Sequence, residues 1–306
     1  MTEKPAAATV FDVRGFMDTT RPRIDAALDA VLPVANLLPA NLHGAMRHSV
    51  FAGGKRLRPM LVLAGCGACG VETDMAMPAA CAVELIHTYS LIHDDLPAFD
   101  DEALRRGKPT CHIVYGEAVA ILAGDALQAL AFEVLAEAAV GAGGPTSWAA
   151  VSHEMARAAG SEGMCGGQTL DIEAAGRSLD VAALRQLHAY KTGALLTAAV
   201  VCGGMVGGAN AAGLVALGAY GDAVGLAFQV VDDLLDVSGT AAELGKNPGG
   251  DAAREQPTFP TLIGIEASRA EATRLRDEAI AALDAFAPDA VAPLCALAEY
   301  TVSRSH

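Results

Sequence analysis

Aromatic residues are scarce in this chain, at 5% with a single tryptophan. Apolar residues still reach 52% of 306, so a large core is available, built from aliphatic side chains, alanine and glycine. Cations are also in short supply. Lys and Arg number 21 against 36 Asp and Glu, a formal net charge of −15. That balance argues against nucleic acid and anionic membrane surfaces as partners. A Pro/Ser-rich linker, a low-complexity block and an internal repeat are all missing, so one domain over residues 1–306 is expected. The opening residues MTEKPAAATVFDVRGF lack the basic-then-apolar pattern of a secretion signal. Seven cysteines, an odd number, suit a reducing cytosol better than a disulfide framework, and a cytoplasmic location is expected. Cys66 and Cys69 form a CxxC with no second pair, which reads as small packing thiols. From Thr192 to Gly221 there is no Asp, Glu, Lys or Arg, a span long enough to cross a membrane. GGMVGGANAAG in its middle reads instead as a turn between two buried helices, so stable membrane insertion is not expected.

What is present is concentrated. IHTYSLIHDDLPAFDDEALRRGK, residues 86–108, places Asp94, Asp95, Asp100 and Asp101 within eight residues, with Glu102 next. The apolar run before it (Val83, Ile86, Leu91, Ile92) has helical spacing, so the acids sit at the end of a buried helix. Pro97 ends that helix and leaves Asp100 beyond it. Like charges beside a buried helix repel unless a cation joins them. Oxygen donors without Cys or paired His suit a hard ion such as Mg²⁺. Arg105 and Arg106 follow, and guanidinium forks suit phosphate. A metal-chelated diphosphate fits this stretch; a solvated acidic loop with balancing arginines is the plainer alternative.

A second cluster lies in FQVVDDLLD. Asp232 and Asp236 are spaced i, i+4 and share a helix face, with Gln229 on the same side and Asp233 between. Two acidic clusters on apolar helices read as facing walls of one cavity in an all-α bundle. The cations answer the anionic total locally. Lys55, Arg56, Arg58, Arg105, Arg106 and Lys108 put six of the 21 into two short segments. Helices are expected over 9–31, 41–51, 59–69, 78–96, 148–160, 184–201 and 267–300, with another long one inside 111–135. Asp125 in that last segment reads as a buried carboxylate tying helices together. Lys191 on an apolar stretch is costly to bury without an anion. Gln168 and Asp171, i, i+3 on one face, would either bond metal-bound water or bridge helices. His93 has no assigned role, and the C-terminal segment 267–300 shows no chemistry.

DDLPAFD followed by LRRG, and DDLLD later, resemble the two aspartate-rich motifs of the trans-prenyl diphosphate synthases. GGKRLRP (53–59), GGQTLD (166–171), KTGAL (191–195), FQVVDD (228–233) and LGK (244–246) extend the resemblance in order over most of the chain. Within that family it is most similar to the bacterial farnesyl diphosphate synthases. The resemblance implies a single large helix bundle of the isoprenoid synthase type with a central metal and diphosphate cavity. It implies two or three Mg²⁺ ions, for which Mn²⁺ can substitute, held by Asp94, Asp95, Asp100, Asp232 and Asp236 with help from Asp233. It places Gly54, Lys55, Arg58, Arg106 and His87 on the diphosphate of isopentenyl diphosphate. Arg105, Lys191 and Lys246 would hold the allylic diphosphate, and Thr192 and Gln229 would stabilise the allylic cation. Tyr89, five residues before Asp94, with Ser90 next, falls where an aromatic side chain goes with a fifteen-carbon product. The expected reaction joins isopentenyl diphosphate to dimethylallyl and geranyl diphosphate, giving farnesyl diphosphate from a homodimer. The alternatives are a geranylgeranyl or geranyl diphosphate synthase, a terpene cyclase and a non-catalytic synthase subunit. Two departures stand out. Gln256 lies near where many members carry a lysine, and Ala103 replaces an acid often seen after the first motif.

Overall fold

Asp12 starts the first helix, its carboxylate accepting the backbone N–H of Gly15 at 3.0 Å. This computed structural model describes residues 11–141, 148–238 and 257–304. The helix from Asp12, α1, runs Val13–Val31, followed by α2 (Ala40–Val50), α3 (Leu57–Gly67), a 3₁₀ turn and α4 (Met77–Asp94). A short hairpin, β1 (Leu104–Arg105) and β2 (Lys108–Pro109), leads into α5 (Cys111–Tyr115) and α6 (Glu117–Gly141). Then come α7 (Trp148–Ala159), α8 (Met164–Ala174), α9 (Val181–His188) and α10 (Ala194–Val206). Last are α11 (Ala211–Ser238), α12 (Phe259–Ile263), α13 (Ile265–Ala281) and α14 (Pro288–Ser303). The fold is all-α, and the two-residue strands are the only sheet among the described residues.

Packing follows from the composition. α4 lies along α6, α3 along α10 and α11 along α13. Small residues bring α3 and α10 unusually close. A Cβ on Gly65 would stand 2.4 Å from the Val200 carbonyl oxygen, and one on Gly203 would stand 2.0 Å from that of Val62. The core is aliphatic, as expected, with Leu28, Leu61, Leu85, Ile86 and Leu196 at 0–1% exposure. Each such side chain contributes roughly 2 kcal/mol of burial. Tyr220 is fully buried, and its hydroxyl donates to the Leu294 carbonyl at 2.7 Å. The thiols of Cys66 and Cys69 face backbone carbonyls, and burial pushes Cys66 up to about 11, which suits packing rather than chemistry.

The charge-free span forms two helices, α10 and α11, joined at 207–210. Four helical stretches are long and apolar enough to cross a membrane by length and composition, and in three of them half or more of the apolar window is buried in the bundle. α6 is the exception at 39%. Its outer face carries Asp125, which is exposed and so does not tie helices together in the way its apolar neighbours suggest. The helix expected over 184–201 is interrupted by one π-helical turn, Ala189–Gly193, between α9 and α10. α8 crosses this turn so closely that a Cβ on Gly167 would stand 2.1 Å from the Lys191 backbone nitrogen. Wide turns of this kind gather at functional sites because they re-aim side chains.

Candidate active site

The C-terminal end of α4 supplies the first acids. α4 ends at Asp94, and the following loop folds back on it. The Asp100 N–H donates to the Asp94 carbonyl at 2.9 Å, and the Glu102 N–H donates to that of Asp95 at 3.2 Å. Asp100 is thereby near enough for its charge to act on Asp94. Asp94 faces a cavity of about 1020 Å³. Burial, reinforced by the carboxylates of Asp100 and Asp95, pushes Asp94 up to about 6 despite Lys191 and Arg105 nearby. Asp95 turns the other way. It is 4% exposed and accepts a two-pronged bond from Arg105, with Nε at 2.8 Å and Nη2 at 2.7 Å. The hairpin turn Arg106–Gly107 has φ of 53° and 74°, the double left-handed turn of tight hairpins, and it aims both arginines. Arg106 donates to the Gly53 carbonyl. Lys108 bonds the Phe51 carbonyl at 3.3 Å and stays off the cavity.

α11 supplies the second acids. Asp232 and Gln229 line the cavity, whereas Asp233 and Asp236 are buried at 4% and 6% and do not. Asp233 accepts the Phe259 N–H at 2.8 Å and so ties α11 to the start of α12. Asp232 is held by a residue the sequence did not single out. Arg304, just past α14, reaches its Oδ1 at 2.6 Å and the Phe228 carbonyl at 3.0 Å, with its guanidinium 3.8 Å from the Phe228 ring centroid. Tyr300 and Thr301 of α14 also line the cavity. An isolated arginine after an apolar helix carries no periodic signal, so only the fold reveals it.

Basic groups complete the wall. Gly54, Lys55, Arg58 and His87 line one side, with Arg58 Nη1 3.3 Å from His87 Nε2. Burial lowers Arg58 to about 10; burial and neighbouring arginines hold His87 well below its usual range, and therefore neutral. Lys55, lowered by burial and by Arg304, lies 5.8 Å from the Tyr300 ring centroid. On the π turn, Lys191 bonds Asp171 at 2.6 Å; burial works against its charge, but Asp171 outweighs this and raises it. Asp171 therefore bridges α8 to that turn, while Gln168 and Thr192 line the cavity. Lys246 and Gln256 lie outside the described residues. Among the described lining residues, eight Lys and Arg face three carboxylates, in a chain of net charge −15. The cavity is built for an anion.

Tyr89, 5% exposed, and Ser90 next to it in sequence also line the cavity. The Tyr89 hydroxyl is 3.6 Å from Cys165 Sγ of α8, with the Gln128 side chain of α6 near it. Its ring meets His93 edge-on at 5.8 Å, and His93 Nε2 lies 3.1 Å from the Ile121 carbonyl. His93 thus braces the Tyr89 ring against α6. The donor set fits a hard divalent cation. Asp94 is a buried carboxylate crowded by like charge, and Asp232 draws in the nearest arginine. Among the described residues, no three His, Cys, Asp or Glu side chains gather closely enough to hold a metal ion by themselves.

The comparisons agree with this geometry. Residues 39–291 match the Polyprenyl synthetase family model. The chain is 46% identical over 300 residues to heterodimeric geranylgeranyl pyrophosphate synthase large subunit 1 of Arabidopsis thaliana, covering 97% of this chain and 80% of that one. It is 44% identical to a dimethylallyltranstransferase of Fischerella ambigua, covering 97% and 85%. Its fold superposes on the apo FPP/GFPP synthase of Zymomonas mobilis with a TM-score of 0.84 at 38% identity, covering 95% and 99%. The acid clusters, the basic wall, the all-α bundle and these matches lead to one conclusion: the chain belongs to the polyprenyl synthetase family, the trans-prenyl diphosphate synthases.

Proposed function

We propose that this prenyltransferase condenses isopentenyl diphosphate head-to-tail with dimethylallyl and geranyl diphosphate and releases farnesyl diphosphate. The observation that carries this reading is a cationic cavity lined by Asp94 and Asp232, from two different helices, together with Lys55, Arg58, Arg105, Arg106, Lys191 and Tyr89. Asp94, Asp100 and Asp232 would hold Mg²⁺, which when bound neutralises diphosphate charge and so favours departure of the leaving group. Lys191 and Arg105 place further positive charge beside it. The allylic C1–O bond breaks, and Thr192 and Gln229 turn oxygens toward the cation. Isopentenyl diphosphate, held by Lys55, Arg58, Arg106 and neutral His87, attacks C1 with its terminal alkene carbon. A C2 proton then leaves to the released diphosphate, so no protein base is required. Met164, Phe99 and Leu91 in the lining help exclude water.

Product length has two readings. The names of the relatives favour the twenty-carbon product, since those most similar are largely geranylgeranyl pyrophosphate synthases. The fifteen-carbon reading is supported by the bulk of the Tyr89 ring, which lines the cavity five residues before Asp94 and meets His93 edge-on at 5.8 Å. We take the second, since a length stop depends on one or two floor residues, which whole-chain identity averages over. The test is incubation with isopentenyl and dimethylallyl diphosphates and Mg²⁺, with a chelator control. A metal-dependent fifteen-carbon product is expected. A twenty-carbon product from the wild type would overturn the tyrosine stop, and no condensation would overturn the reaction. Tyr89→Ala is expected to lengthen the product.

The same reading includes a homodimer, with no nucleic-acid partner, no stable membrane insertion and a cytoplasmic location. The apolar face of α5 and α6 supports the dimer, with Ile113 and Leu122 exposed at 55% and 56% and Val114 and Ile121 beside them at 48% and 44%. A single sedimenting species at the monomer mass would contradict it.

A further inference from the structure

GGKRLRP carries three cations in four residues, and the structure does not use them alike. Lys55 and Arg58 line the cavity, whereas the guanidinium of Arg56 is taken up by the protein itself. Arg56 is 4% exposed, at a left-handed φ of 54° that a non-glycine residue adopts only when its surroundings enforce it. All three arms of its guanidinium are engaged. Nε donates to Asp25 at 2.8 Å, Nη1 to Glu84 at 2.6 Å and Nη2 to the Val50 carbonyl at 2.7 Å. Glu84 is the reason this matters. It is a carboxylate at 3% exposure in the wall of an anion-binding cavity, and its charge also acts on Arg58 and Arg106. Unneutralised, Glu84 would draw those arginines to itself and repel a phosphate.

We propose that Arg56 is a positioning residue: it engages Glu84 and fixes the turn at 53–56, so that Glu84 does not compete with the diphosphate of isopentenyl diphosphate for Arg58 and Arg106. The inference rests on the prenyl-transfer reading above.

The test compares wild type, Arg56→Gln, Glu84→Gln, the double variant and Arg56→Lys. Calorimetry gives the Kd for isopentenyl diphosphate without metal, and steady-state kinetics gives KM for each substrate. Arg56→Gln should raise Kd and KM for isopentenyl diphosphate about tenfold or more, with KM for geranyl diphosphate within about threefold. Glu84→Gln and the double variant, which remove the buried carboxylate charge, and Arg56→Lys, which keeps a cation opposite it, should all stay within about threefold of wild type. An unchanged Kd in Arg56→Gln would overturn the inference, as would a double variant that binds as weakly as the single one. If Arg56→Gln does not fold, a tenfold loss in Arg56→Lys or Glu84→Gln overturns it equally. Wild-type protein that performs no condensation would instead overturn the functional reading.

Discussion

At the end of α4 and within the last two turns of α11, two pairs of adjacent aspartates meet the same cavity in different ways. Asp94 and Asp95 stand where a helix stops, so the chain can fold back and bring Asp100 beside them. A hairpin then supplies Arg105 for the trailing acid. Asp232 and Asp233 lie inside a continuous helix, where successive side chains diverge by about 100°. Asp233 therefore points at the first residue of α12, and the cation beside Asp232 comes from the far end of the chain, as Arg304. In each pair the leading acid faces the cavity and the trailing acid binds scaffold. On the function proposed above, a doubled aspartate here would supply one ligand and one strut.

Variants separate the two roles. The largest effect is expected from Asp94→Ala or Asp232→Ala, which should lower turnover by about 10³ or more in a diphosphate-release assay. Near-normal rates would contradict the leading-acid assignment. The trailing acids should act on stability. Asp95→Asn and Asp233→Asn each remove a buried charged acceptor, and a loss of about 2 kcal/mol is expected by denaturant titration, with turnover falling less than about tenfold. A third variant works in the opposite sense. Asp94 binds its proton more tightly in the folded chain than in the unfolded one, where its pKa is about 3.9. Without metal, its contribution to stability therefore falls as pH rises from about 4 through about 6. Asp94→Asn should remove that slope and stabilise the metal-free protein at pH 8 by about 2 kcal/mol or less while leaving it inactive. Equal stability of both proteins from pH 5 to 8 would contradict this. The smallest effect belongs to Arg304→Gln. Asp232 is 45% exposed, so solvent screens the pair, and the Mg²⁺ needed for half-maximal activity should drop only about twofold.

Much of the frame was readable before folding. The apolar helices, the two acid clusters and the GGKRLRP segment each follow from spacing and charge, because a helix face is a local property of sequence. Direction was less readable. Asp94 and Asp95 are alike in sequence, and only the hairpin arginine and the back-folded loop decide which faces the cavity. The π turn at Lys191 replaces an expected straight helix because the backbone of α8 presses on it at Gly167. Arg304, Tyr300 and Thr301 enter the site through the packing of α14, which no local pattern encodes. Asp125 misled because α6 is apolar on its exposed side as well.

The most direct test of the division between ligand and strut is a crystal structure with Mn²⁺ and inorganic diphosphate, using anomalous scattering to place the metal. The account predicts metal peaks at the carboxylates of Asp94 and Asp232, with Asp95 still on Arg105 and Asp233 still on the Phe259 N–H. Metal bound through Asp95 or Asp233, with those bonds broken, would contradict it.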